Sequence, residues 1–215
     1  MNGLELRKAV LNEEIDYVQL KSLLDYEQPR SKIKRFLQEG TLIRVKKGLY
    51  VFGPKVALHP YSKETLANLI YGPSAISLEY ALGFYGMIPE RVESVTSITP
   101  LRNKNFYTPV GHFSYRYLAP SKYVPGLTQF TLDKTHTFFI ATPEKALADL
   151  LILTRPQIKL NNIAELSDFL FNSLRINEEK LFQLNTELLY EISLCYGKKS
   201  CHLLYQFVLK NSRNT

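Results

Sequence analysis

The sequence predicts an α+β protein in two parts. A small N-terminal unit of helices closed by a hairpin precedes a mixed α/β unit with a small, mostly antiparallel sheet and a helical tail. Three observations predict this. The first forty residues carry apolar side chains at helical spacing, and residues 42–52 are two short β-type runs around a glycine turn. Residues 91–141 are rich in β-branched and aromatic residues between turn signals. Helical spacing then returns from residue 162.

In order along the chain, Leu4, Val10 and Leu11 give a weak helical pattern over residues 3–12. "DYVQLKSLLDY" places Tyr17, Leu20, Leu23 and Leu24 at helical spacing. "QPRSKIKRFLQEG" has Pro29 where a first helical turn accepts it and Gly40 where a helix stops. "LIRVKKGLYVF" is a hairpin signal around Lys46-Lys47-Gly48. Three helices followed by a hairpin is the order of a winged helix-turn-helix module, assigned to residues 1–53. Gly53, Pro54 and Pro60 mark residues 54–61 as a linker, and residues 62–215 as the second domain.

In that second domain, "SKETLANLIYG" and "SAISLEYALGFYG" predict helices opened by Ser62 and by Ser74 or Ser77, and closed by Gly72 and Gly86. "VESVTSIT", "NKNFYT", "HFSYRYL", "LTQFTL" and "HTFFIA" predict five strands. Thr142-Pro143-Glu144 starts a further helix. Ile163, Leu166, Phe169 and Leu170 open the helical tail.

Bulk composition excludes several classes. A hydrophobic fraction of 45% with 22% charged residues describes a folded rather than a disordered chain. No apolar run approaches the roughly 18 residues a membrane helix needs. The start, "MNGLELRKAVLNEEIDY", does not have the pattern of a signal peptide. Cys195 and Cys201 do not form a staple pattern, and a reduced, cytoplasmic protein is expected. His59, His112, His136 and His202 make no metal-ligand spacing, so no metal or cofactor is expected. Glu79, Glu90, Glu93, Glu144 and Asp149 do not form a convincing metal-binding carboxylate set, and no catalytic residues are assigned.

Charge is distributed unevenly. Net charge is +7, yet residues 1–27 are net acidic. Residues 30–47 then carry Arg30, Lys32, Lys34, Arg35, Arg44, Lys46 and Lys47 against the single acid Glu39. On a helix of about 100° per residue, Ile33, Phe36 and Leu37 face inward, and Ser31, Lys34, Arg35 and Gln38 face outward with Lys32 on the flank. An apolar back and a face of long donors suit a DNA-reading helix, with Arg44, Lys46 and Lys47 placed to grip flanking phosphates or a minor groove. A second stretch, between Glu93 and Asp133, has no acid and holds Arg102, Lys104, Arg116 and Lys122 among aromatic residues. It suits RNA or an acidic protein; alternate aromatics in a strand also suit a core.

Four segments together resemble the AbiEi family of antitoxins from type IV, abortive-infection toxin-antitoxin systems: "FLQEGTLIRVKKGLYVF", "SAISLEYALGFYGMIPERVESVTSIT", "TPVGHFSYRYL" and "FFIATPEKALADLL". The resemblance runs through most of residues 31–151. It implies a non-enzymatic phage-defence protein whose winged helix binds inverted repeats in its own promoter and represses the operon. It implies that the C-terminal domain counteracts a nucleotidyltransferase toxin, with or without direct contact. The residues matching the family's basic helix and wing are Arg30, Lys32, Lys34, Arg35, Arg44, Lys46 and Lys47. From the residues alone, a winged-helix protein-interaction adaptor and a nuclease or RNA-modifying enzyme with a DNA-binding arm stand as alternatives.

Overall fold

Asn2 opens the first helix, α1 (Gly3–Ala9), through a reciprocal cap: its side chain accepts from Glu5 N at 2.9 Å, and its own N–H donates to Glu5 at 2.8 Å. The computed structural model describes residues 1–24, 28–154 and 160–212, and is a mixed α+β fold. Helix α1 stops at Ala9, short of the expected 12, and the chain becomes strand β1 (Glu14–Asp16). Helices α2 (Tyr17–Leu24) and α3 (Pro29–Gln38) follow. Asp25 and Tyr26, the expected end of α2, lie outside the described residues. Gly40 adopts φ +73, the left-handed turn that ends α3.

The hairpin is β2 (Leu42–Lys46) and β3 (Leu49–Phe52). β1 adds to its other edge, giving a sheet of order β1-β3-β2 with Ile15 opposite Tyr50. Periodicity could not predict β1. Three residues with two acids make no alternating pattern, and pairing with β3 alone makes them a strand.

One side of this sheet closes over Leu6, Leu20, Ile33 and Phe36. The other side presents Val45, Leu49 and Val51 to the large core of the following residues. β3 is therefore buried on both faces. Residues 54–61, expected as a linker, are strapped to β1. Glu13 Oε1 accepts from Leu58 N (3.1 Å) and His59 N (2.9 Å), and Glu14 Oε1 accepts from Ser62 N (2.8 Å).

Next come α4 (Lys63–Ile70), β4 (Ala75–Ile76), α5 (Leu78–Phe84), β5 (Val95–Thr99), β6 (Lys104–Thr108), β7 (Gly111–Tyr117), α6 (Pro120–Tyr123), β8 (Leu127–Thr131) and β9 (Thr137–Ala141). Ser62 caps α4, accepting from Thr65 N at 3.0 Å. The five expected strands form. A sixth, β4, occupies residues after Ser74, so of the two expected starts, Ser74 or Ser77, the helix takes Ser77 and begins at Leu78. Two residues are too short to show a period, and their place between β5 and β9 makes them strand. The sheet order is β6-β7-β5-β4-β9-β8, with β5–β7 and β4–β9 parallel and the other neighbours antiparallel.

Helix α7 (Pro143–Leu153) starts as the sequence indicates, with Thr142 accepting from Lys145 N and Pro143 in its first turn. The tail comprises α8 (Ile163–Asp168), a π-helical turn (Phe169–Ser173), α9 (Glu178–Phe182), α10 (Thr186–Tyr196) and α11 (Lys199–Ser212). Between α7 and α10 lies a buried polar knot. Lys145 Nζ donates to Tyr196 Oη at 2.6 Å, Tyr196 Oη donates to Asp149, and Ser77 Oγ donates to Asp149 Oδ2 at 2.6 Å. Ser77 holds the N-cap position of α5 but spends its hydroxyl on Asp149 instead of capping. Burial pushes the Asp149 carboxyl up and the Lys145 ammonium down.

Candidate nucleic-acid interface

α3 packs Ile33 and Phe36 inward, and its open flank faces the β2–β3 hairpin across a groove of about 660 Å³. Arg30 and Lys34, one helical turn apart, line one wall; Arg44 and Lys47 line the other. No acid lines it. Tyr17 and the buried Tyr50 contribute aromatic surface. Tyr17 N donates to Gly48 O at 2.9 Å, which pins the start of α2 to the hairpin turn. Gly48 itself sits at φ +85, a conformation that favours glycine in that turn.

The sequence-predicted basic residues divide into two sets. Arg30, Lys34, Arg44 and Lys47 converge on the groove with exposed side chains. Ser31, Arg35 and Gln38 are exposed but do not line it. Arg35 is engaged with Glu39 (Nε–Oε1 2.6 Å), which raises its pKa. Lys32 is half-buried with its ammonium 5.3 Å from the Phe36 ring centroid. Lys46 points away from the groove and donates to the carbonyl of Ile70, the last residue of α4. Desolvation lowers its pKa. Arg30, expected among the DNA-binding residues, lines this groove. Tyr17 and Tyr50 were missed, because only the β1–β3 pairing brings them to the site.

The acid-free stretch also divides. Arg102, Lys104 and Arg116 are exposed at one end of the β6–β7 hairpin, where Lys104 pairs with Tyr115 and Asn103 Oδ1 accepts from Tyr117 N at 2.6 Å. Lys122 does not join them. It is half-buried on α6 and donates to Tyr196 O at 2.9 Å, at the end of α10. Phe113 and Tyr115 are core residues, whereas Tyr107 and Tyr117 are exposed at 81% and 47%.

The carboxylates weighed for metal chemistry are scattered. Glu144 accepts from Asn185 N, Glu90 pairs with Arg175, Glu93 with Arg91, and Asp149 is buried in the knot. Among the described residues, no group of three or more His, Cys, Asp or Glu is placed to hold a metal ion. Cys195 and Cys201 are free thiols, and burial pushes Cys201 up to about 12. No helix among the described residues is long and apolar enough to cross a membrane.

In comparisons with known proteins, no family model matches the chain and no curated protein matches it.

Proposed function

We propose that this chain is a DNA-binding autorepressor and antitoxin, whose N-terminal unit is a winged helix reading promoter DNA through α3 and the β2–β3 wing. The observation that carries the DNA reading is the groove itself: four long cationic side chains from two elements, Arg30, Lys34, Arg44 and Lys47, with no acid among the described residues that line it. Such a surface suits phosphate contacts from the wing and base-edge contacts from the helix. The order α1-β1-α2-α3-β2-β3, with three helices and a three-stranded sheet, supports the winged-helix reading.

The antitoxin part rests on the resemblance of the four quoted segments and on the exposed cations Arg102, Lys104 and Arg116. In this reading the C-terminal residues counteract a nucleotidyltransferase toxin and carry out no catalytic step of their own. The test is a gel shift of full-length protein on the DNA upstream of its own gene, paired with growth rescue on co-expression of a neighbouring nucleotidyltransferase. Full-length protein is required because Val45, Leu49 and Val51 belong to the core of the second unit. A specific shift with rescue supports the reading. A shift without rescue leaves a repressor only, and no shift on any upstream fragment contradicts the DNA reading.

A further inference from the structure

We propose that the free edge of β6 binds an acidic, extended segment of a protein partner by strand addition. β6 is an outer strand of the six-stranded sheet, with β7 as its one strand neighbour among the described residues. The direction of its main-chain groups follows from the ladder. Leu118 N donates to Thr99 O on the β5 side, and Tyr117 N donates to Asn103 on the β6 side. Alternation then turns the N–H and C=O of Phe113 and Tyr115 toward β6, and those of their partners Phe106 and Lys104 toward β7. The N–H and C=O of Asn105 and Tyr107 point outward, away from the sheet.

Outer strands are commonly blunted by a bulge, a proline or a cover. β6 holds unbroken register from Lys104 opposite Tyr115 to Thr108 opposite Gly111, and contains no proline. Its blunting device is charge. Lys104, with Arg102 and Arg116 nearby, repels a second copy of the same edge and favours an acidic strand. No acid occurs between Glu93 and Asp133 to offset these cations. Beside the free backbone, the exposed Tyr107 ring stacks on His112 with centroids 4.2 Å apart and planes 4° apart. It is a held, flat apolar surface on which a side chain of an added strand can rest. Single-stranded RNA could use the ring, the charges and single outward groups, but only an extended chain repeats N–H and C=O at the spacing of Asn105 and Tyr107. Strand addition uses all three features.

The proposal stands apart from the DNA reading and is tested separately. The probe is a blocked peptide of alternating glutamate and valine, titrated into isotope-labelled full-length protein. Controls are the same peptide N-methylated at alternate residues and an oligouridylate of similar length. The expected result is shift changes centred on residues 104–108, with affinity about tenfold weaker for Asn105→Pro and for the methylated peptide. Asn105→Pro removes an outward N–H and leaves the β7 ladder intact; its folding is checked by its melting curve, and the methylated peptide gives the same comparison on unaltered protein. Charge reversal at Arg102, Lys104 and Arg116 should weaken binding further. The proposal is overturned by peptide binding that is indifferent to methylation, by no binding up to about 1 mM, or by β6 responding to the oligouridylate alone.

Discussion

Lys46, in the hairpin, donates its ammonium to the backbone carbonyl of Ile70 at the end of α4. A residue that reads as a phosphate contact in sequence is therefore a tie between the hairpin and the rest of the molecule. Lys46→Ala should cost about 1.5–3 kcal/mol of stability, the range for a hydrogen bond with a charged partner. Operator affinity measured below the melting transition should stay within about twofold. Loss of DNA binding without loss of stability would return Lys46 to the interface.

Lys47, the next residue, lines the groove instead. Lys47→Ala should weaken binding to specific and random DNA alike, and flatten the dependence of log affinity on log salt by about 0.9. A titration series over salt concentration reads both quantities. Lys34→Ala should act differently, costing about 1–3 kcal/mol on the cognate site and far less on random DNA, as a base-reading contact does.

The helix and hairpin that form this groove were legible in the sequence because each is a local pattern. Pro29 and Gly40 bracket α3, Gly48 marks the turn, and Thr142-Pro143 starts α7. What was not legible depends on pairing across the chain. β1 and β4 are too short to show a period. Asn68 is a further case: its amide accepts from Phe139 N (2.6 Å) and donates to Phe139 O (3.4 Å), standing in for a strand where β4 is too short to reach. The same reason hid the division of the basic residues. Helical arithmetic places Lys34 and Arg35 on one outer face, but the hairpin's position decides that Lys34 faces a second row of cations, while Arg35 turns to Glu39 one turn on.

His136 joins the two units and makes stability depend on pH. Its Nδ1 lies 2.7 Å from Asp133 Oδ2 and its Nε2 lies 3.2 Å from Glu14 Oε2 on β1. Burial disfavours the imidazolium, but the hydrogen bond to Asp133 and the charge of Glu14 outweigh it and raise the pKa above the ordinary value. A raised pKa contributes stability that is full below the unfolded value, about 6.5, and is lost as pH rises through the folded value. The melting temperature should therefore fall as pH rises above about 6.5, and His136→Gln should flatten that slope. An unchanged slope in the variant would remove His136 from this role.

Asp149 is fully buried and accepts from Ser77 Oγ and Tyr196 Oη, with Lys145 Nζ at 3.5 Å. Asp149→Ala should destabilise by about 3–5 kcal/mol, because it leaves a buried ammonium without its counter-charge. Tyr196→Phe should cost less, about 1–3 kcal/mol, since it removes one shared hydroxyl. Denaturant unfolding of the two variants gives the order. A larger loss for Tyr196→Phe would mean that the hydroxyl, rather than the charge pair, organises the knot.

The groove between α3 and the hairpin is tested most directly by the salt dependence of operator binding. Full-length protein is compared with a variant carrying Arg30→Ala, Lys34→Ala, Arg44→Ala and Lys47→Ala together. Loss of the sequence-specific shift, with a salt slope lower by about 2–4, is the predicted result. A folded quadruple variant that binds the operator with unchanged affinity and slope would contradict it.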